Sequence, residues 1–479
     1  MTSLRAAVPP SNPTRPFESA QAWTPQASGA RQERLLLGLA GAFTLIGLLQ
    51  LGLVSAYNRT APLSGYTIEP NWLIGAGATW LICFGVIHRQ LNQGHRERDP
   101  YLLPIVALLT GWGLIEIARL APGFLPRQGA WLVVASAVLI GVLRAPSDLR
   151  WLRRYRYTWL FIGLGLLALT FIIGVNPEGA GLPLWLGGLA GVFFQPAEML
   201  KLLFIAFLAS YLAEKREVAR SLGRHQPASP PAPLLKSHPE RSSAESKDEP
   251  FLTPPYLAPL LAMWGVSMLL LIAQQDLGAS LLLYFSFLVM LFLASGQRRY
   301  LVIGAALLIV AGISGYGLIG RVHSRIDTWL NPWADASGAS YQVVQALIAL
   351  NSGGVIGAGL GQGYPDVILP AAHTDMPLAA IGEEFGLAGT LAVIACFGTL
   401  TLRGLRIATV ARTTFGRLLA AGLAAAIGLQ AWIIMAGNAG LAPLTGVTLP
   451  FVSYGGSSLL ISFIEIGLWL HISADRSDR

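Results

Sequence analysis

Ionisable side chains are scarce in this chain, and the few that interrupt its apolar runs are the residues with chemistry to offer. Only 12% of the 479 residues are charged and 53% are hydrophobic, a balance too apolar for a soluble protein of this size. A charge near mid-membrane costs about 2.5 to 3.5 kcal/mol on insertion scales, so each such group is a candidate for function. Glu198 and Lys201 stand three apart in QPAEMLKLLFIAF and share a helix face. They form either a local ion pair that lowers the cost of insertion or part of a polar cavity, and Pro196 before them suits a first helical turn. Asp276, in AQQDLGAS, marks a tight turn between two apolar runs, where a carboxylate is cheap. LPAAHTDMPLAAIGEEFG places His373 and Asp375 at the mouth of a span, with Glu383 and Glu384 two helical turns deeper. A lone His or Asp at such a boundary is usually a cap, whereas four ionisable groups together favour function. Their spacing is not that of an HExxH zinc protease.

The fourth candidate stretch, RIDTWLNPWADASGASYQ, carries Arg325 and Asp335 in a loop rich in Trp, Gly and Pro. Trp329 and Trp333 fit interfacial anchors better than stacking platforms. In YQVVQALIALN, Val343, Val344, Leu347 and Ile348 share a face, with Gln342, Gln345 and Asn351 elsewhere. That pattern predicts a short interfacial helix, with Ser340 as N-cap and Gly353 and Gly354 ending it. The following GAGLGQG lets backbone approach a ligand but is no nucleotide fingerprint, since no βαβ unit surrounds it. NAGLAPLTGVTLPFVSYGGSSLL, containing Ser453 and Gly455, puts irregular backbone at a membrane edge, where it is tolerated if it packs in protein or lines a cavity.

These residues must be held by apolar helices. A span needs about 20 mostly apolar residues, and twelve runs qualify, starting near Leu35, Trp72, Tyr101, Ala130, Tyr157, Phe193, Tyr256, Gly278, Leu301, Met376, Arg417 and Val452. None alternates like a membrane barrel strand, so an all-α polytopic membrane protein is expected. Residues 1–34 are expected to form a disordered cytoplasmic tail without a cleaved signal peptide. Residues 214–253, a Pro, Ser and charge mixture, are expected to form a disordered cytoplasmic linker, and 475–479 a cytoplasmic tail. Arginines sort by loop: Arg89, Arg96, Arg98, Arg144, Arg150, Arg153, Arg154, Arg156, Arg298, Arg299, Arg403, Arg406, Arg412 and Arg417 fall on one side, against Arg59, Arg119, Arg127, Arg321 and Arg325 on the other. The positive-inside rule then puts both termini in the cytoplasm and the large loop at 320–375 outside. The net charge of +8 follows from the same asymmetry and does not call for nucleic acid. Cys83 and Cys396 fall within spans as small hydrophobes.

GLPLWLGGLAGVFFQPAEMLKL, QQDLGAS, NPWADASGASYQVVQALIALNSGGVIGAGLGQG, LPAAHTDMPLAAIGEEFGLAG and LPFVSYGGSSLL, in this order from about Tyr101 to Leu470, resemble the SEDS family, which includes FtsW, RodA and SpoVE. The resemblance implies a SEDS-type bundle whose core of ten helices, 101–474, is preceded here by two more at 35–100. It implies a bacterial plasma-membrane peptidoglycan glycosyltransferase that polymerises lipid II and works with a class B penicillin-binding protein. The family's essential loop Asp corresponds to Asp335, although DASG replaces the usual DPLG or DPFG. The Trp of its GA-x-RW motif matches Trp185, where this chain reads GLPLW without the basic residue. Glu198 and Lys201 match QPSE…K, with Ala197 in place of Ser.

Glycan polymerisation needs a hydroxyl of one lipid-linked disaccharide to attack the anomeric carbon of another, with a lipid pyrophosphate leaving. Asp335 is the expected general base, active extracytoplasmically, and Lys201 or Arg325, or a divalent cation such as Mg or Mn, could offset pyrophosphate charge. Trp185, Asp276, Gln345, His373, Asp375, Glu383, Ser453 and Gly455 complete the expected substrate-binding set. Two other readings use the same residues: a flippase working through Glu198, Lys201 and Glu383, or a non-catalytic scaffold for a penicillin-binding protein.

Overall fold

The structure, a computed structural model, describes residues 27–60, 67–95, 97–146, 149–177, 182–188, 192–224 and 254–475. Helices α1 (Ala27–Thr60) and α2 (Pro70–Gly94) come first, then α3 (Leu102–Leu120), α4 (Leu125–Leu143), the short α5 (Arg150–Arg154) and α6 (Arg156–Ile173). A two-residue antiparallel ribbon, β1 (Leu186–Gly187) on β2 (Phe193–Phe194), leads into α7 (Pro196–Arg224). After α8 (Pro254–Ala273), α9 (Leu277–Ser295) and α10 (Arg299–Leu318) come the short helices α11 (Gly320–Leu330), α12 (Tyr341–Ser352) and α13 (Pro365–Ile368). The chain closes with α14 (Pro377–Val410), α15 (Thr414–Asn438) and α16 (Gly456–Ala474). The protein is therefore an all-α polytopic membrane protein. Eleven of the described helices are long and apolar enough to cross a membrane, and the expected run near Tyr256 is α8, whose apolar part Leu257–Ala273 is shorter.

Burial sorts the helices into layers. In α3 and α7, 89% of the most apolar window is buried, against 11% in α10. The first two form the centre, and α10 turns Val302, Ile313 and Leu318 outward, as a helix facing hydrocarbon should. Helix α7 packs on α6, α9, α15 and α16, while α1 packs on α3, and α2 and α16 on α4. Buried indoles find carbonyls across helices: Trp80 Nε1 donates to Ala107 O and Trp469 Nε1 to Ala420 O, each at 3.0 Å.

Several expected boundaries move. Helix α1 begins at Ala27 instead of near Leu35, because Glu33 is not a tail residue: it is buried and meets Arg98 Nη2 at 2.7 Å. Residues 1–26 and 476–479 lie outside the described residues. The expected linker at 214–253 starts as a continuation of α7 to Arg224, held by the ion pairs Glu214–Arg156 and Glu217–Arg153, and its part from 225 to 253 lies outside the described residues. The large loop at 320–375 is largely helical. Its α12 is the predicted helix and ends before Gly353, but Ile348 is 44% exposed while Ala346 and Ala349 are buried. Ser340 occupies the N-cap position without a side-chain hydrogen bond.

Candidate functional site

The start of α7 builds the first part of the site. Pro196 is its first residue, where a missing N–H is harmless, and Gln195 N donates to Ser457 Oγ at 2.8 Å, tying the ribbon to the start of α16. One turn on, Lys201 Nζ donates to Glu198 Oε2 at 3.0 Å and to Gln430 Oε1 of α15 at 2.6 Å. Gln430 in turn donates Nε2 to Thr448 O at 3.0 Å. Asp276 caps α9 by accepting from Ala279 N at 2.9 Å, and Gln195 Nε2 reaches its other oxygen at 3.4 Å. Burial pushes the Asp276 carboxyl above its ordinary value. Glu198, Lys201, Asp276, Gln195 and Thr448, with Leu282 and Leu283, line one cleft of about 470 Å³ including its open mouth. Its lining mixes charged and apolar side chains.

The helix that leads to Asp335 is tied to the chain beside this cleft. In α11, Arg321 Nη1 donates to Gln275 O at 3.4 Å, beside Asp276, and Trp329 Nε1 donates to Gly440 O at 3.0 Å, in the turn after α15. Trp329 is thus a specific anchor. A 3-10 turn, Pro332–Asp335, follows. The Asp335 carboxylate is exposed and accepts from Ala339 N at 2.7 Å, closing the turn that precedes α12. A Cβ at Gly338 would lie 2.4 Å from Asp335 Oδ2, so the turn admits the carboxylate only because residue 338 has no side chain.

A second group of expected residues holds the loops together. Ser453 Oγ donates to Thr374 O at 2.6 Å and accepts from Leu449 N at 2.9 Å, and Tyr454 N donates to His373 O at 2.7 Å. The His373 ring stacks on Phe124, 5.4 Å between centroids, and burial lowers its pKa. Arg325 is pulled below its usual range by burial, against the opposing charge of Asp375. Glu383 Oε1 accepts from Tyr364 N at 2.8 Å, and Glu384 Oε1 lies 2.8 Å from Arg119 Nε. Glu383 thus gives one carboxylate oxygen to backbone. The Trp185 backbone pairs with Val175, and Gln345 is half-buried on α12. Gly455 is the residue before α16, in extended backbone.

Sequence reasoning passed over Arg119, Gln430 and Glu465. Glu465, in α16, lies 3.9 Å from Lys201 Nζ. As a lone carboxylate inside SFIEIGLWL, it could have been found by the same insertion-cost argument that singled out Glu198. Among the described residues, no three His, Cys, Asp or Glu side chains come together as a metal-binding group.

The FtsW/RodA/SpoVE family, described as cell cycle protein, matches residues 116–478. The chain belongs to this family. It is 38% identical over 412 residues to the peptidoglycan glycosyltransferase RodA of Mycobacterium tuberculosis, covering 84% of this chain and 83% of that one. It is 36% identical over 451 residues to the RodA of Mycobacterium leprae, with 92% and 90% covered. A chain from a solved structure described as the structural coordination of polymerization and crosslinking by a peptidoglycan synthase complex superposes with a TM-score of 0.60 at 25% identity, covering 80% of this chain and 99% of that one. Family membership accounts for the order of the motifs along the chain, and the cleft on α7 and the Asp335 turn both fall within the matched residues.

Proposed function

We propose that this protein is a peptidoglycan glycosyltransferase that polymerises lipid II into glycan strands, with Asp335 as general base, in cell elongation or division. The observation that carries the reading is the combination of an exposed carboxylate, Asp335, in a turn whose preceding helix is anchored through Arg321 and Trp329, with a cleft lined by both charged and apolar side chains. Such a cleft suits a substrate with a sugar-pyrophosphate head and a polyprenyl tail. Asp335 takes the proton from the attacking hydroxyl as its oxygen bonds to the anomeric carbon of a second lipid-linked disaccharide. The bond from that carbon to the pyrophosphate breaks, and the lipid pyrophosphate leaves with the electron pair, inverting the centre. Lys201 and Arg325 offset the charge that develops on it.

A divalent cation fits this arrangement only together with substrate. Glu198 and Asp276 give the cleft two carboxylates, and a Mg ion is commonly held by one or two carboxylates plus substrate phosphates. In the cell the cleft faces outward across the plasma membrane, as the sorting of arginines supports, and a class B penicillin-binding protein crosslinks the product.

The test is glycan synthesis from lipid II by the purified protein, with and without its transpeptidase partner, for wild type and Asp335→Ala. Polymer from wild type and a loss on the order of 10² to 10⁴-fold in the variant is the expected result. Equal polymer from both removes Asp335 as the base, and flipping without synthesis makes the protein a transporter.

A further inference from the structure

Glu465 is a costly carboxylate in the interior of the bundle. It lies on α16, is 0% exposed, and neither oxygen has a hydrogen-bond partner among the described residues. A buried ionised carboxylate without donors is strongly unfavourable unless a charge offsets it. The charge it faces is Lys201, at 3.9 Å. Yet Lys201 is already satisfied by Glu198 and Gln430, so two carboxylates share one ammonium. They differ in position: Glu198 lines the cleft and Glu465 does not.

That difference matters once a pyrophosphate enters. Its negative charge repels Glu198, while Lys201 attracts it. An ammonium that loses its carboxylate in this interior needs another. Glu465 has to move only about 1 Å closer to reach the roughly 2.8 Å of a charge-assisted hydrogen bond. We propose that Glu465 is a positioning residue for polymerisation, the second counter-ion that holds the Lys201 ammonium at the cleft wall when the substrate's pyrophosphate drives Glu198 away from it. This rests on the polymerase reading above.

The experiment compares wild type, Glu465→Gln and Glu465→Asp, each with its transpeptidase partner, by polymerisation kinetics on lipid II, by direct lipid II binding and by thermal unfolding. Glu465→Gln keeps the size and removes the charge. It is expected to raise KM and weaken lipid II binding by about tenfold, the scale of one lost contact to a charged group. Its kcat stays near wild type and its Tm is equal or higher, because a carboxylate without donors has gone. Glu465→Asp, which keeps the charge, lies nearer wild type in binding. A lower Tm with unchanged KM and binding, or an aspartate no better than the glutamine, overturns the proposal. If wild type binds lipid II but makes no polymer, the polymerase reading fails and the binding comparison alone decides for or against Glu465; if wild type binds none, both fail.

Discussion

Arg119 and Glu384, at the ends of two different spans, meet at 2.8 Å with both side chains almost fully buried. The same guanidinium donates to Gly363 O at 2.7 Å and reaches Asp366 Oδ1 at 2.9 Å. One cation on α3 thereby fixes α14 and the segment that leads to it. Removing one member of such a buried pair strands the others, at a cost of about 3 to 5 kcal/mol. Arg119→Met should lose stability on that scale, read as a lower Tm in detergent or nanodiscs. Arg119→Lys, which keeps the charge but cannot reach three partners in a plane, should fall between; a Tm unchanged in both would show that the pair contributes nothing net.

The neighbouring glycine loop makes a sharper comparison. Gly357 has φ +83°, and a Cβ there would lie 2.2 Å from Glu384 O. Gly359 has φ +101°, but its Cβ would meet only the Gln362 side chain at 3.6 Å. Backbone strain alone costs roughly 1 to 3 kcal/mol for a non-Gly residue, and both alanine variants carry it. Only Gly357→Ala adds a clash with the α14 backbone, which cannot turn aside. Thermal unfolding should therefore rank Gly357→Ala well below Gly359→Ala, and equal Tm values would refute the close approach.

Trp329 is expected to act on rate more than on stability. Its indole N–H holds the Asp335 segment to Gly440 O, and it stands on a helix with no buried residues. Trp329→Phe deletes the hydrogen bond and keeps most of the ring, so the loss of stability should be about 1 kcal/mol. If the anchor positions Asp335, kcat on lipid II should fall by an order of magnitude or more, since small misplacements of a catalytic group are costly. Unaltered kcat would separate the anchor from the chemistry.

How much of this was legible depends on the distance over which each feature is encoded. The spans follow from runs of about 20 apolar residues, and α12 from its periodicity, all local signals. Helix α11, reading GRVHSRIDTWL, is too short and polar for hydropathy to find. The Arg119–Glu384 pair joins residues 265 apart in the chain and Lys201–Gln430 residues 229 apart, so the type and cost of each side chain were visible but the partner was not. The partner of Glu383 was hidden for the same reason: nothing in its neighbourhood of sequence announces that the Tyr364 N–H donates to it. Asp335 was legible as a candidate because an exposed loop carboxylate needs no distant partner.

Asp276 gives a prediction in which function and stability oppose each other. Burial raises its pKa above the ordinary 3.8, so over the interval between the unfolded and folded values the native state binds more protons than the unfolded one. The contribution of this group to stability is then fully present below about pH 3.8 and is lost as pH rises through the folded pKa. The deficit persists at neutral pH. Asp276→Asn retains an oxygen to accept the Ala279 N–H, and asparagine caps a helix as well as aspartate, so the ionisation is removed together with only the long 3.4 Å contact from Gln195 Nε2. The variant should unfold at a higher temperature than wild type at pH 7, and the gap should close as the wild-type carboxyl is protonated on acidification. Lipid II synthesis should fall in the same variant, because the cleft loses one of its two carboxylates. A variant less stable than wild type at pH 7, by a margin that does not change with pH, would show that the Asp276 carboxylate is held favourably by Gln195 and the α9 N-terminus and that burial is not the dominant influence on it.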